Sequence, residues 1–317
     1  MVITKEDLHL PRDICIEILK RLSIRDVLSC KCVCKSLRDL IKNDDFAASY
    51  APEPGVAFAD RDKGLYIVTD EAYRPLYRFV LPPRNHDSCH AVIDSTNGLI
   101  MVWEECGEIL SICNPMTREY VQLPPLSSLK SEYMYGFGVS KLSRKYKILC
   151  GTARSCDAYI LGRGESGLWR RIAAEAPGIP IFPSDIAAFL NGNLHWLASK
   201  SKENFVCCFD LETELFNQFS LPYRDYSDDY NYEYHLRTLK GRLCLCDAVD
   251  SHLGVAIWWM NDYGDDNSWV KVYSIHRFEV SPSINGVVYP LRVFANGVGI
   301  VDIPPVTEFV LGVDIDI

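Results

Sequence analysis

Asn191-Gly192-Asn193-Leu194-His195-Trp196-Leu197 sets a two-residue turn directly ahead of an apolar strand. Asn-Gly tolerates the positive φ angles of a tight hairpin turn, so the stretch reads as a hairpin corner followed by a buried strand. Asn97-Gly98-Leu99-Ile100-Met101-Val102, Lys240-Gly241-Arg242-Leu243-Cys244-Leu245 and Asn285-Gly286-Val287-Val288-Tyr289 open in the same way. A related strand, Tyr146-Lys147-Ile148-Leu149-Cys150, falls between the units at 97 and 191. The spacing is about 47 residues. Some openings are followed by a more amphipathic strand, a polar turn and a Leu-Pro stop. Examples are Ile109 to Cys113 with Asn114-Pro115 and Leu123-Pro124, and Val206 to Asp210 with Leu211-Glu212-Thr213-Glu214 and Leu221-Pro222. Such a period, with about four strands per unit, suggests propeller blades, whose radial repetition leaves few free strand edges. Residues 51–317 then hold about five or six blades. The end of the chain, Val310-Leu311-Gly312-Val313-Asp314-Ile315-Asp316-Ile317, is short of strands, so the last blade is expected to be incomplete.

Residues 8–50 have a different texture, with no glycine and a single proline. Pro11 suits a helix start, where its missing N–H would go unpaired anyway, and Ile14, Ile18, Leu19 and Leu22 are expected on one face. Ser23 with Asp26 reads as a capping box for a second helix, and apolar positions continue at helical spacing from Val27 to about Asn43. Three short helices over residues 1–50 cannot bury all of these side chains among themselves, and an exposed apolar set marks a binding face. The fold class is therefore α+β by segments: a small all-α unit at 1–50 and a mainly β, propeller-like domain at 51–317.

Composition narrows the function. The chain has 317 residues, 48% hydrophobic and 24% charged, with 13 cysteines and a formal charge of -9. The longest apolar run, Leu253 to Met260, is too short to span a bilayer, and Lys5, Glu6 and Asp7 interrupt any signal peptide. An odd number of cysteines, crowded at Cys30, Cys32 and Cys34 and adjacent at Cys207 and Cys208, argues for thiols in a reducing compartment, cytoplasmic or nuclear. The acidic balance, which lies almost wholly beyond residue 50, disfavours contact with a nucleic-acid backbone. No membrane contact is expected.

Two resemblances add to this. Leu10-Pro11-x-x-Ile14-x-x-x-Ile18-Leu19-x-Arg21-Leu22, then Val27-Leu28, Cys32-Val33-Cys34-Lys35-Ser36 and Leu40-Ile41, resembles an F-box in register, with Leu37 where the family commonly has Trp. The resemblance implies docking onto a Skp-family adaptor, and through it a cullin/RING ubiquitin ligase. It carries adaptor contacts onto Leu10, Pro11, Ile14, Ile18, Leu19, Leu22, Val33 and Cys34. The remaining chain resembles the plant F-box-associated domain, related to kelch-like propellers. That match runs through Asn97-Gly98-Leu99, Tyr135-Gly136-Phe137-Gly138, Asn191-Gly192-x-Leu194-His195-Trp196-Leu197, Ile257-Trp258-Trp259-Met260 and Ser268-Trp269-x-Lys271.

Catalytic, cofactor and metal motifs do not emerge. Gly162-Arg163-Gly164-Glu165-Ser166-Gly167 matches a dinucleotide-binding string, but Leu168 to Ile172 reads as a strand where a helix N-terminus would have to hold the phosphates. His86, Cys89 and His90, like the three helical cysteines, lack a second pair at zinc-like spacing. His195, with no nucleophile elbow beside it, reads as a hydrogen-bonded structural histidine. Between Pro222 and Leu236 an acidic, tyrosine-rich insertion suits a basic partner, and Tyr226, Asp228, Asp229, Tyr230 and Tyr232 are the candidate substrate contacts. These readings converge on a non-catalytic receptor that holds an unknown protein substrate near a ligase. The alternatives are a propeller interaction protein outside any ligase and a propeller enzyme with a central site.

Overall fold

The computed structural model describes residues 10–22, 24–41, 46, 55–60, 65–69, 75–80, 90–104, 109–114, 119–125, 134–152, 155–161, 167–181, 187–222, 232–239, 241–249, 255–275, 288–294, 297–302 and 311–313. Among them, three helices precede the strands: α1 (Arg12–Leu19), α2 (Ile24–Cys30) and α3 (Lys35–Ile41). Helices this short are not stable on propensity alone. They hold through a shared core in which Cys15, Leu19, Val27, Ile41 and Phe46 are each at most 4% exposed. Helical spacing does not run unbroken from Val27 to Asn43. Cys32 N–H donates to Ser29 C=O (3.0 Å) and Val33 N–H to Cys30 C=O (3.1 Å), which tightens and ends α2, and Cys34 C=O then accepts Arg38 N–H (3.1 Å) to begin α3. Cys30 and Cys34 are thereby separated by a turn. Asp26 lies in the first turn of α2, and Ser23 lies outside the described residues.

Among the described residues the strands form six sheets in chain order. The first holds β1 (Gly55–Asp60), β2 (Leu65–Thr69) and β3 (Pro75–Val80); the second holds β4 (His90–Thr96), β5 (Leu99–Glu104), β6 (Ile109–Asn114) and β7 (Glu119–Gln122). The third holds β8 (Met134–Val139), β9 (Tyr146–Thr152), β10 (Ser155–Leu161) and β11 (Arg170–Arg171). In the fourth, β12 (Ile179–Pro180) and β13 (Ala188–Leu190) both pair with β14 (Asn193–Lys200), followed by β15 (Glu203–Asp210) and β16 (Phe216–Ser220). The fifth holds β17 (Tyr232–Leu239), β18 (Arg242–Val249), β19 (Val255–Met260) and β20 (Trp269–Ile275), and the sixth holds β21 (Val288–Phe294) and β22 (Gly297–Asp302).

β23 (Leu311–Val313) does not join the sixth sheet but pairs antiparallel with β1, Gly312 opposite Val56. The strands β4, β8, β13, β17, β21 and β23 touch in succession, and β23 meets both β21 and β4, so the six sheets close into a ring around these inner strands. Six sheets fall within the expected five to six. The sixth is short, with two strands among the described residues, while 311–313 completes the first sheet.

The repeat is real but its last unit is displaced by one strand. β5, β9, β14 and β18 all occupy the second position in their sheets and begin about 47 to 49 residues apart. The equivalent strand of the sixth sheet is β22, whereas the run at Val287-Val288-Tyr289 leads into β21, the inner strand. In the third sheet the inner strand β8 and the second strand β9 are both largely buried, so apolar runs of these two kinds read alike. The Asn-Gly reading holds: φ is 47° and 74° at Asn97 and Gly98, and 53° and 79° at Asn191 and Gly192, positive at both turn positions as a type I′ hairpin requires.

Strand alternation builds the core. On β14, Leu194 and Trp196 face the third sheet, packing with Met134, Leu149 and Phe209. Leu197 faces the fifth, packing with Leu236, Leu243 and Leu245. A sheet covered on both faces needs apolar residues at successive positions, which is why β14 and β15 read as nearly continuous apolar runs. Close approach at the ring needs glycine: a Cβ on Gly138 would lie 2.5 Å from Phe189 Cδ2, and one on Gly136 would lie 2.7 Å from Leu194 Cδ1. Tryptophans tie the outer strands together. Trp169 Nε1–H donates to Pro124 C=O (2.8 Å) and Trp269 Nε1–H to Ser220 C=O (3.0 Å), each reaching the end of the preceding sheet's last strand.

Candidate functional site

The helical unit presents an apolar stripe. Pro11 is the N-cap of α1 (φ -56°, ψ 144°), and its carbonyl accepts Ile14 N–H and Cys15 N–H, each at 3.1 Å. From that start, four-residue spacing places Leu10, Ile14 and Ile18 along one side of the helix, 49%, 48% and 47% exposed. Cys15 and Leu19 take the other side and are buried. The helix therefore carries two apolar stripes, and Leu19, expected beside Ile18 at the surface, belongs to the inner one. Val33, in the turn after α2, is 71% exposed, Pro11 is exposed, and Leu22 and Cys34 are half-buried. Arg38 Nε–H holds the turn by donating to Lys31 C=O at 3.1 Å. Leu10 also borders a hollow of about 360 Å³ lined with Leu37 and Leu40.

A second concavity, of about 580 Å³, lies where the fourth and fifth sheets meet. Its wall is set by Tyr263, from the turn between β19 and β20. Burial pushes the His195 imidazole down from 6.5 to about 4, against its bond to Ala188, so the ring is neutral at pH 7. Ala188 C=O only accepts, so Nδ1 carries the proton to it (2.8 Å), and Nε2 accepts the Tyr263 hydroxyl (2.8 Å). The hydroxyl oxygen in turn accepts Asn193 Nδ2–H at 2.8 Å. His195 is thus the structural histidine read from the sequence. It anchors a side chain of the next sheet.

The ring of inner strands holds Asp94 on β4. Its Oδ2 accepts Phe137 N–H (2.9 Å) and its Oδ1 accepts Ser95 N–H (2.7 Å). Burial pushes its carboxyl up from 3.8 to about 8, against these bonds and the attraction of Arg237. On β17, burial and the charge of Arg237 push His235 down to about 3. Among the described residues, no three His, Cys, Asp or Glu side chains gather in a way that could hold a metal. Cys113, Cys150, Cys156, Cys207, Cys208, Cys244 and Cys246 are buried in the β domain, and burial raises the thiols of Cys150 and Cys156 to about 12.

Of the candidate substrate contacts, Tyr226, Asp228, Asp229 and Tyr230 lie outside the described residues, as do His86, Cys89 and 162–166 of the glycine string. Tyr232 opens β17 opposite Val249, at the end of the sheet away from Tyr263. The cleft was not read from the sequence, since its lining comes from two sheets.

Residues 70–295 match the F-box associated beta propeller domain, and residues 8–48 match the F-box domain. The chain belongs to the F-box associated beta propeller family. It is 26% identical over 223 residues to the putative F-box protein At3g16210 of Arabidopsis thaliana, covering 67% of this chain and 61% of that protein. It is 26% identical to the F-box protein At3g07870, with coverages of 85% and 73%, and 24% identical to the F-box protein CPR1, with 84% and 73%, both also of Arabidopsis thaliana.

Proposed function

We propose that this chain is the substrate-recognition subunit of an SCF-type (Skp/cullin/F-box) E3 ubiquitin ligase, working in the cytoplasm or nucleus. The observation that carries this reading is the stripe of Leu10, Ile14 and Ile18 with Val33, about half exposed or more on a unit whose core is Cys15, Leu19, Val27, Ile41 and Phe46. Covering the exposed part of each supplies on the order of 1 kcal/mol. Four such gains do not by themselves offset the roughly 4–15 kcal/mol cost of association. The adaptor surface must therefore extend over Pro11, Leu22, Cys34 and the hollow beside Leu37. On this reading the β domain holds a protein substrate, and its contribution to ubiquitin transfer is proximity: a substrate lysine is kept at high effective concentration near a thioester borne elsewhere. No nucleophile is required of this chain. The acidic, tyrosine-rich segment containing Tyr226, Asp228, Asp229, Tyr230 and Tyr232 is one surface for that substrate.

The test is co-purification of the tagged full chain with a Skp-family adaptor, a cullin and its RING partner. Recovery of all three on the tag supports the reading. Failure to retain the adaptor overturns it in favour of a propeller interaction protein outside the ligase.

A further inference from the structure

We propose that the cleft between the fourth and fifth sheets seats an arginine or lysine side chain of the recruited protein. This deepens the receptor reading and rests on it. Asp210, Asp266, Asn217 and Gln218 line the cleft together with the rings of Phe219 and Tyr263, and among the described residues no Lys or Arg lines it. The two carboxylates are half committed. Asp210 Oδ1 accepts Glu212 N–H (2.7 Å) and Thr213 N–H (3.0 Å), and Asp266 Oδ1 accepts Ser220 N–H (2.9 Å). Among the described residues, Oδ2 of each accepts no hydrogen bond, which leaves one acceptor per carboxylate for an incoming donor. Amide oxygens of Asn217 and Gln218 add neutral acceptors.

The aromatic wall suits the same guest. Tyr263 and Phe219 meet edge to face, centroids 5.6 Å apart, and Tyr263 is fixed from behind by His195 and Asn193. A guanidinium between carboxylates and ring faces gains charge-assisted hydrogen bonds and cation–π contact together, and the wall need not be ordered on binding. The planar fork of arginine serves two separated carboxylates better than the point charge of lysine.

The test presents the immobilised full chain with peptide pools that differ only at a central position fixed as Arg, Lys, Gln or Glu among randomised flanks. The Arg and Lys pools are expected to bind at least about tenfold tighter than the Gln and Glu pools, Arg tightest, with the gap narrowing as salt rises. The double variant Asp210→Asn/Asp266→Asn keeps both Oδ1 acceptors and is expected to lose the preference with unchanged melting temperature. Asp266→Arg, which places a rival cation at an exposed position and removes the acceptor of Ser220 N–H, is expected to lose the preference as well. Pools bound without regard to the central residue, or a preference that survives in both variants, would overturn the proposal. Adaptor capture is measured on the same samples: a wild-type chain that selects arginine but captures no adaptor sinks the receptor reading alone, and one that captures adaptor without selecting arginine sinks the cleft alone.

Discussion

The helical unit and the β ring use the same kinds of side chain in opposite ways. On α1, Ile14 and Ile18 face outward while Cys15 and Leu19 face in, so a short helix spends half of its apolar content on a surface. On β14, Leu194, His195, Trp196, Leu197 and Ala198 are all at most 2% exposed, because each face of the strand meets a neighbouring sheet. The difference teaches that apolar residues in the ring are stability, whereas those on the outer stripe of α1 are available for a partner.

The largest expected effect that sharpens this contrast is in the ring. Trp196→Ala should cost about 3–5 kcal/mol of folding stability, read by urea unfolding, since its indole fills the space between the third and fourth sheets. Ile14→Ala, by comparison, should leave the urea midpoint essentially unchanged, and an equal loss at both sites would break the contrast. Tyr263→Phe should cost about 1–3 kcal/mol by the same assay, because it strips the donor from buried His195 Nε2 and leaves that acceptor unsatisfied.

A third expectation concerns pH. Asp94 has a folded-state pKa raised from 3.8 to about 8, so the folded protein holds this proton more tightly than the unfolded chain. Its contribution is complete below pH 3.8 and is lost as pH rises through about 8. Relative to Asp94→Asn, the wild type should therefore lose stability steadily across that window, measured as the difference between their melting temperatures. A constant difference would contradict the burial argument. The smallest effect is on the helical side: Leu37→Trp fills part of the hollow beside Leu10 and should tighten adaptor binding by a few-fold, seen by calorimetric titration, with little change in melting.

How much of this was legible from residues alone depends on whether the signal was local. The Asn97-Gly98 and Asn191-Gly192 turns announce themselves because only a few residue types accept positive φ, and the strands they open followed at the right spacing. The exposed members of the helical stripe were also legible as a set. Which of two apolar stripes on α1 faces outward was not, because a pattern of Leu10, Ile14 and Ile18 against Cys15, Leu19 and Leu22 is symmetric until α2 and α3 pack on one side. Ring closure was hidden for a related reason. A three-residue strand has almost no periodicity, and β23 finds its partner β1 across most of the chain. The cleft gave no signal either, since Asp210 ends β15 and Asp266 follows β19 in the next sheet, and the two line one cleft only once the sheets pack.

The central claim is that the outer stripe of α1 is a docking surface independent of the ring's stability. Titration of a purified Skp-family adaptor into the full chain and into Ile14→Asp/Ile18→Asp, with thermal melts of both, tests it most directly. The wild type should bind saturably, and the double variant should lose affinity by about 100-fold or more while melting at the same temperature. A wild-type chain that does not bind, or a variant that binds as well as the wild type, would contradict the account.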